Sequence, residues 1–317
     1  MDNATIFSGP GKIYYNTHGL FPNGEQGQIA MRVESDTDEV GAALQGRVDE
    51  TQANALVKIT TDPFDNWGLL STLYPAGVTT PAIGSRFCAG SAATVIWAAD
   101  GRKFTIENTF VSKHPDLHLG VGRPLFLGLE ITGCVNQNTE LGGASCLYAV
   151  ATGASDPGGA FTLADFIRGA WTGAWGTVAG FGGDGSSTLQ AEDEWIVTVA
   201  AKYKPLAVQK LTRAFELSSV AVMAKVRPVG PTQANIDAAL NLQASSGGRV
   251  LGARLGASGA DLVLTGPGGK TVTMKNAALK TVGYDFGGHK LANGEIAFVT
   301  GMTFTAGAIQ PLISFSA

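Results

Sequence analysis

With 317 residues, 15% charged side chains and a formal net charge of −4, the chain has room for two ordinary domain cores. It lacks the basic surplus needed for a static grip on nucleic-acid phosphates. Its 43 glycines fall between short strand-like runs without a collagen period, which favours an all-β fold rich in turns. The opening MDNATIFSG has neither the basic flank nor the apolar run of a signal peptide, and no apolar stretch is long enough to cross a bilayer as a helix. Folding in a cytoplasm is therefore expected.

In chain order, QIAMRV (28–33) alternates as a strand and leads into ESDTDE. Its Glu34, Asp36, Asp38 and Glu39 lack the spacing and turn glycine of an EF-hand loop, so solvated loop charge is the simplest reading. FDNWGLLSTLY (64–74) reads as a helix, and WAADGRKFT (97–105) as a hairpin. HPDLH places His114 and His118 four apart, but Pro115 opposes the helix that would bring both rings to one metal. Two ligands without a third do not make a site, and a surface or hairpin-end position suffices for them. Cys88, Cys134 and Cys146 form no C-x-x-C pair and are expected as buried free thiols.

Residues 135–190 change character and read as a linker or insertion, with Thr162 and Asp165 at capping-box positions of one short helix. Phe161, Phe166, Trp171, Trp175 and Phe181 make it too aromatic for a free tether. It is expected to pack on a domain or a neighbouring subunit. GFGGDG (180–185) matches G-x-G-x-x-G, yet a strand rather than a helix follows, so a loop is expected instead of a dinucleotide site. A second acidic group, Glu192, Asp193 and Glu194, precedes the strand-like WIVTVAA. Thr232 is positioned to cap a helix over 231–243. DLVLTGPGGKTVTM (261–274) has Leu264 where a P-loop needs its first glycine, and a β-branched run follows the lysine, so it reads as a hairpin.

The chain repeats itself. IGSRFCAGSAATVIWAADGRKFTIEN (83–108) aligns without gaps over LGARLGASGADLVLTGPGGKTVTMKN (251–276) at an offset of 168, with eight of 26 pairs identical, among them Gly101 with Gly269 and Asn108 with Asn276. The apolar partners keep phase as well, which matters more than identity, because a one-residue slip turns every side chain to the other face of its sheet. At the same offset QIAMRV stands over IVTVAA, and LEITG over AFVTG. Each half thus reads as several strands, a helix and more strands: a first domain over 1–134, the linker over 135–190 and a second domain over 191–317.

FSGPGKIYYN, the strand-Pro-helix unit VKITTDPFDNWGLLSTLYP and the closing hairpins GRKFTIENTFVSK and FLGLEITG together resemble the tail-tube (major tail) proteins of long-tailed bacteriophages and prophages. The resemblance covers nearly the whole chain in element order and includes no catalytic motif. It implies two tandem β-sandwich or barrel-like domains, each with one flanking helix. It also implies homotrimeric, pseudo-hexameric rings that stack into a tube through which DNA passes, together with other tail proteins. The product would be a virion tail made in the host cytoplasm, with no enzyme activity, cofactor, metal or membrane implied. By position in that pattern, Glu34, Asp36, Asp38, Glu39, Glu192, Asp193 and Glu194 would face the lumen or the ring-stacking loops. Alternatives are another tail component or an injection-system inner tube, and, in a different class, a carbohydrate-binding β-sandwich using the linker aromatics as sugar platforms.

Overall fold

The computed structural model describes residues 11–16, 18–20, 29–42, 46–88, 94–98, 101–134, 147–156, 167–178, 180–182, 189–208, 211–229, 231, 235–236, 260–282, 294–302, 304–305 and 307–316. The protein is mainly β. The first half supplies β1 (Gly11–Tyr15), β2 (His18–Leu20), β3 (Ile29–Ala42), β4 (Gly46–Thr61), β5 (Arg86–Phe87), β6 (Thr94–Ala98), β7 (Lys103–Ile106), β8 (Thr109–Lys113), β9 (Leu117–Gly120) and β10 (Leu129–Gly133). From the 135–190 segment come β11 (Ala149–Ala151) and β12 (Thr172–Trp175). The second half supplies β13 (Leu189–Val208), β14 (Leu211–Val229), β15 (Ala260–Thr265), β16 (Thr271–Val282), β17 (Ile296–Thr300), β18 (Phe304–Thr305), β19 (Ala308–Ile309) and β20 (Ile313–Ser316).

The helix expected over 64–74 is shorter and broken. A single 3-10 turn at Trp67–Leu69 leads into α1 (Leu70–Leu73), and α2 (Ala76–Thr79) restarts after Pro75. Proline has no N–H for the first helix to use, but its fixed φ suits the start of the next one. Of the helix expected over 231–243, Pro231, Asn235 and Ile236 are described, the last two helical with Ile236 buried, whereas the helix around Thr162 and Asp165, Phe161, Phe166 and Cys146 lie outside the described residues.

Two long ribbons organise the sheets, and they bend in the same places. In β3–β4, Asp36 pairs with Asn54 but Thr37 with Gln52, leaving Ala53 extra; Val40 pairs with Asp49 but Gly41 with Arg47, leaving Val48 extra. In β13–β14, Lys202 pairs with Ser219 but Tyr203 with Leu217, leaving Ser218 extra; Leu206 pairs with Ala214 but Ala207 with Thr212, leaving Arg213 extra. Each ribbon therefore carries two bulges on its second strand, at one spacing from the tip. A bulge sharpens the local twist, so both ribbons coil alike.

The remaining strands correspond as well. Hairpins β6–β7 and β15–β16 keep one register, with Ile96 opposite Phe104 and Leu264 opposite Val272. The hairpin read from DLVLTGPGGKTVTM is thus present. Gly101 and Gly269 both turn at positive φ, 85° and 76°, a conformation glycine adopts without a Cβ penalty. Asn108 and Asn276 are left-handed too, at φ 51° and 47°. The carbonyl of each accepts a backbone bond, from Cys134 and Gly301 respectively. The four-stranded order β3-β4-β10-β8 has the same sequence of partners as β13-β14-β17-β16.

The constant offset of 168 slips in two places. The bulges set Asp36 beside Lys202 in the pattern, a shift of two residues that preserves phase. In the last long strand, Gly133 opposite Thr109 matches Thr300 opposite Ala277, a slip of one. Phe298 rather than Val299 is consequently the buried counterpart of Ile131 in the second half.

The segment read as a linker is built into both sheets. β11 pairs with β7, as β20 pairs with β16. β12 pairs with β15 on one side and β13 on the other, so β14-β17-β16-β15-β12-β13 closes on itself through the β13–β14 ribbon. Closure removes the open edges of a small sheet. Trp175 fills this barrel, edge-on to Phe181 at 5.5 Å and to Phe298 at 5.1 Å. Its Nε1 donates to the Ala277 carbonyl at 2.9 Å. Gly173 lets β12 approach, because a Cβ there would stand 2.7 Å from Trp195 Cζ2. Gly173→Ala is expected to cost about 1–3 kcal/mol through overpacking, measurable as a lowered urea midpoint with an unchanged m-value.

Candidate assembly surface

The two halves are stitched directly together. β9 of the first half pairs with β13, Glu194 opposite Gly120 through Val197 opposite Leu117. β5 pairs with β14 at Phe87–Phe215 and Arg86–Glu216. Asn54 bridges the ribbons, donating to Thr212 Oγ1 at 3.2 Å and accepting from the Thr212 amide at 3.0 Å. Trp171 lies 5.9 Å from Trp67. Arg168 forms an ion pair with the buried Asp65, whose other oxygen accepts from the Leu125 amide at 2.7 Å.

This stitching decides where the histidines and some of the acids go. His114 and His118 are buried, not placed at a surface or hairpin end: His118 because β9 is covered by β13, and His114 because it packs among Leu73, Tyr74 and Tyr203, contacts that local pattern does not reveal. His114 Nδ1–H donates to the Leu73 carbonyl at 2.7 Å, and Nε2 accepts from the Tyr203 hydroxyl at 2.7 Å. Burial pushes the ring's pKa down from 6.5 to about 4. His118 Nδ1 lies 2.9 Å from Glu194 Oε2, and Arg123 Nε lies 3.6 Å from Oε1. Among the described residues no three His, Cys, Asp or Glu side chains gather as a metal site. Cys88 and Cys134 are buried free thiols.

The His114 shift carries a pH prediction. Between about pH 6.5 and 4 the unfolded chain takes up a proton that the folded one refuses, so this contribution is complete above 6.5 and is lost as pH falls toward 4. The loss amounts to about 3 kcal/mol at its limit. Denaturation midpoints across this window should fall in the native protein and flatten in His114→Gln.

The first acidic group sits within β3, not in a loop. Ile29 and Met31 pack toward the core, while Ala30, Arg32, Asp36 and Asp38 are exposed on the alternate positions and Glu34 is half-buried. Glu34 pairs with Lys58 at 2.7 Å. The Glu39 side chain lies outside the described residues. Glu192, Asp193 and Glu194 occupy a wide irregularity of β13, where Ala191 opposes Pro228 and Trp195 opposes Val226. Glu192 and Asp193 are exposed, and Glu192 stands 3.8 Å from Arg227. Glu194 turns instead into the seam with β9, a placement that the run of three acids did not signal.

Sequence reasoning missed one feature of this surface. The matched bulges put Lys202 and Lys204, both exposed, at the places that Asp36 and Asp38 hold in β3. These two positions are therefore opposite in charge between the ribbons. The offset of 168 already sets Glu34 over Lys202 and Asp36 over Lys204, and the bulge register moves the correspondence to Asp36 with Lys202 and Asp38 with Lys204.

The linker aromatics Trp171, Trp175 and Phe181 are buried and offer no stacking face to a sugar. No protein-family model matches the chain, and no curated protein matches it.

Proposed function

We propose that the chain is a structural virion protein, a duplicated tail-tube subunit of a long-tailed bacteriophage or prophage that assembles into stacked, trimeric, pseudo-hexameric rings. The observation that carries this reading is the matched pair of four-stranded sheets, β3-β4-β10-β8 and β13-β14-β17-β16, whose ribbons share their bulge positions. Two such sheets in one chain, the second edged by β9 of the first half, supply the alternating wall segments that a pseudo-sixfold ring of three chains requires. In this reading the face bearing Glu34, Asp36 and Asp38 lines the lumen or meets the next ring, with Glu192 and Asp193 at its margin. The lining alternates in sign, since Lys202 and Lys204 take the corresponding places in the second half. Such a wall holds DNA less tightly than a uniformly basic one, because fewer counterions are released on contact.

Negative-stain images of the purified protein should show rings or short tubes at modest concentration. Particles without a central hole at every concentration would remove this reading in favour of a small soluble oligomer. Asp36→Lys combined with Asp38→Lys is expected to leave the subunit folded and to impair stacking or DNA passage. Normal tails from that variant would exclude these two residues from the role.

A further inference from the structure

The place where β5, β10 and β14 meet encloses two thiols. β5 pairs with the second half through Phe87 and Arg86, and Cys88 follows it; Cys134 follows β10 of the first-half sheet. Both side chains are buried beside Phe110. They hydrogen-bond to each other. The Asn108 carbonyl accepts from the Cys88 thiol and lies 3.9 Å from Cys134 Sγ, which also stands 3.5 Å from the carbonyl of Arg213, the extra residue of a β14 bulge.

Neither sulfur is a requirement of the repeated fold. The Cys134 amide donates to the Asn108 carbonyl as the Gly301 amide donates to that of Asn276, so glycine stands in the second half where Cys134 stands in the first. At the ungapped offset of 168, Cys88 likewise falls over Gly256. Cys88 is held at φ 69°, in the left-handed region where a side chain is costly and glycine is not. The first half therefore carries two sulfurs in mutual contact at places where the second half has glycine.

We propose that Cys88 and Cys134 form an oxidative modification site: an intramolecular disulfide, closed by a small disulfide of the oxidised-glutathione class once the chain meets an oxidising medium. One protein thiolate attacks the reagent, releasing half of it as a thiol and leaving a mixed disulfide; the other then attacks the protein sulfur of that bond and releases the second half. Two protein thiols thereby give up two protons and two electrons, and one small disulfide becomes two thiols. Sulfurs already in contact need only a short movement to reach the ~2 Å bond. Burial, reinforced by the neighbouring Cys134, pushes the Cys88 thiol up, so exchange is slow while the fold is closed and the pair stays reduced in a cytoplasm. The bond fastens the end of β5, which is paired to the second half, to the end of β10 in the first. It is independent of ring formation, because both sulfurs belong to one subunit.

A glutathione redox buffer tests this on the full chain, approached both from native reduced protein and from protein refolded out of urea, so that slow access to a buried pair does not hide the equilibrium. After acid quenching, peptide mapping without reductant is expected to find Cys88 joined to Cys134 in both preparations, at a mass two hydrogens below that of the separate peptides. The oxidised protein should unfold at a higher urea concentration than the reduced one, because the cross-link restricts the unfolded chain. Cys88→Ser is expected to show no such shift between oxidising and reducing buffer, and Cys134→Ala supplies the same comparison if the first variant folds poorly. Both thiols free in each preparation, a bond that includes Cys146, persistent glutathione adducts on Cys88 or Cys134, or an unchanged or lowered midpoint would each overturn the proposal.

Discussion

Trp175→Ala is expected to destabilise the protein by about 3–5 kcal/mol, the usual cost of removing a fully buried large aromatic. The indole touches Phe181 and Phe298 and donates to the Ala277 carbonyl, so its loss opens a cavity and leaves an acceptor without its donor. β12 reaches the barrel through few residues, and its tryptophan is a principal anchor. Thermal or urea unfolding reads the effect. A shift below about 1 kcal/mol, typical of surface changes, would show that β12 is not an integral wall of the barrel. Trp175→Phe should recover much of the loss by refilling volume without restoring the hydrogen bond.

The second large effect is expected at the Arg168–Asp65 pair, and it should be asymmetric. Asp65 is 1% exposed, whereas the Arg168 side chain is 39% exposed. Arg168→Ala strands a buried carboxylate, a change that costs about 3–5 kcal/mol. Asp65→Asn frees an arginine that can turn to water and keeps an oxygen for the Leu125 amide, so about 1–2 kcal/mol is expected. Urea midpoints for the two variants, and for the double variant, give the comparison. Equal losses would mean that the pair acts mainly by packing Arg168 between the halves rather than by neutralising Asp65.

The local hairpins were legible in the sequence because their information is local. Period-2 alternation around Gly101 and Gly269 fixes both turn and register, and the 83–108 and 251–276 blocks align without a gap. The matched partners of the ribbons were harder to read. Bulges insert residues without changing composition, so the alignment slipped by two at β3 and by one at β10, and the slip at β10 exchanged Phe298 for Val299 as the inward residue. The 135–190 segment misled for a related reason. A strand of four residues, Thr172–Trp175, half of it glycine and alanine, carries no alternation strong enough to separate it from a linker. Its aromatic content pointed to packing but not to barrel closure. Pairings between halves, such as β9 with β13, depend on long-range geometry, so neither the burial of His118 nor the turn of Glu194 into the seam could be read from HPDLH or EDEW.

The borrowed strand also has a consequence for synthesis. β12 leaves the ribosome roughly 90 residues before β15, its pairing partner in the barrel. At roughly 5–20 residues per second, the nascent chain carries Trp171 and Trp175 without that shelter for several seconds. The period when the polypeptide is most prone to stray association therefore falls in the middle of translation, and holding chaperones would be needed then rather than after release.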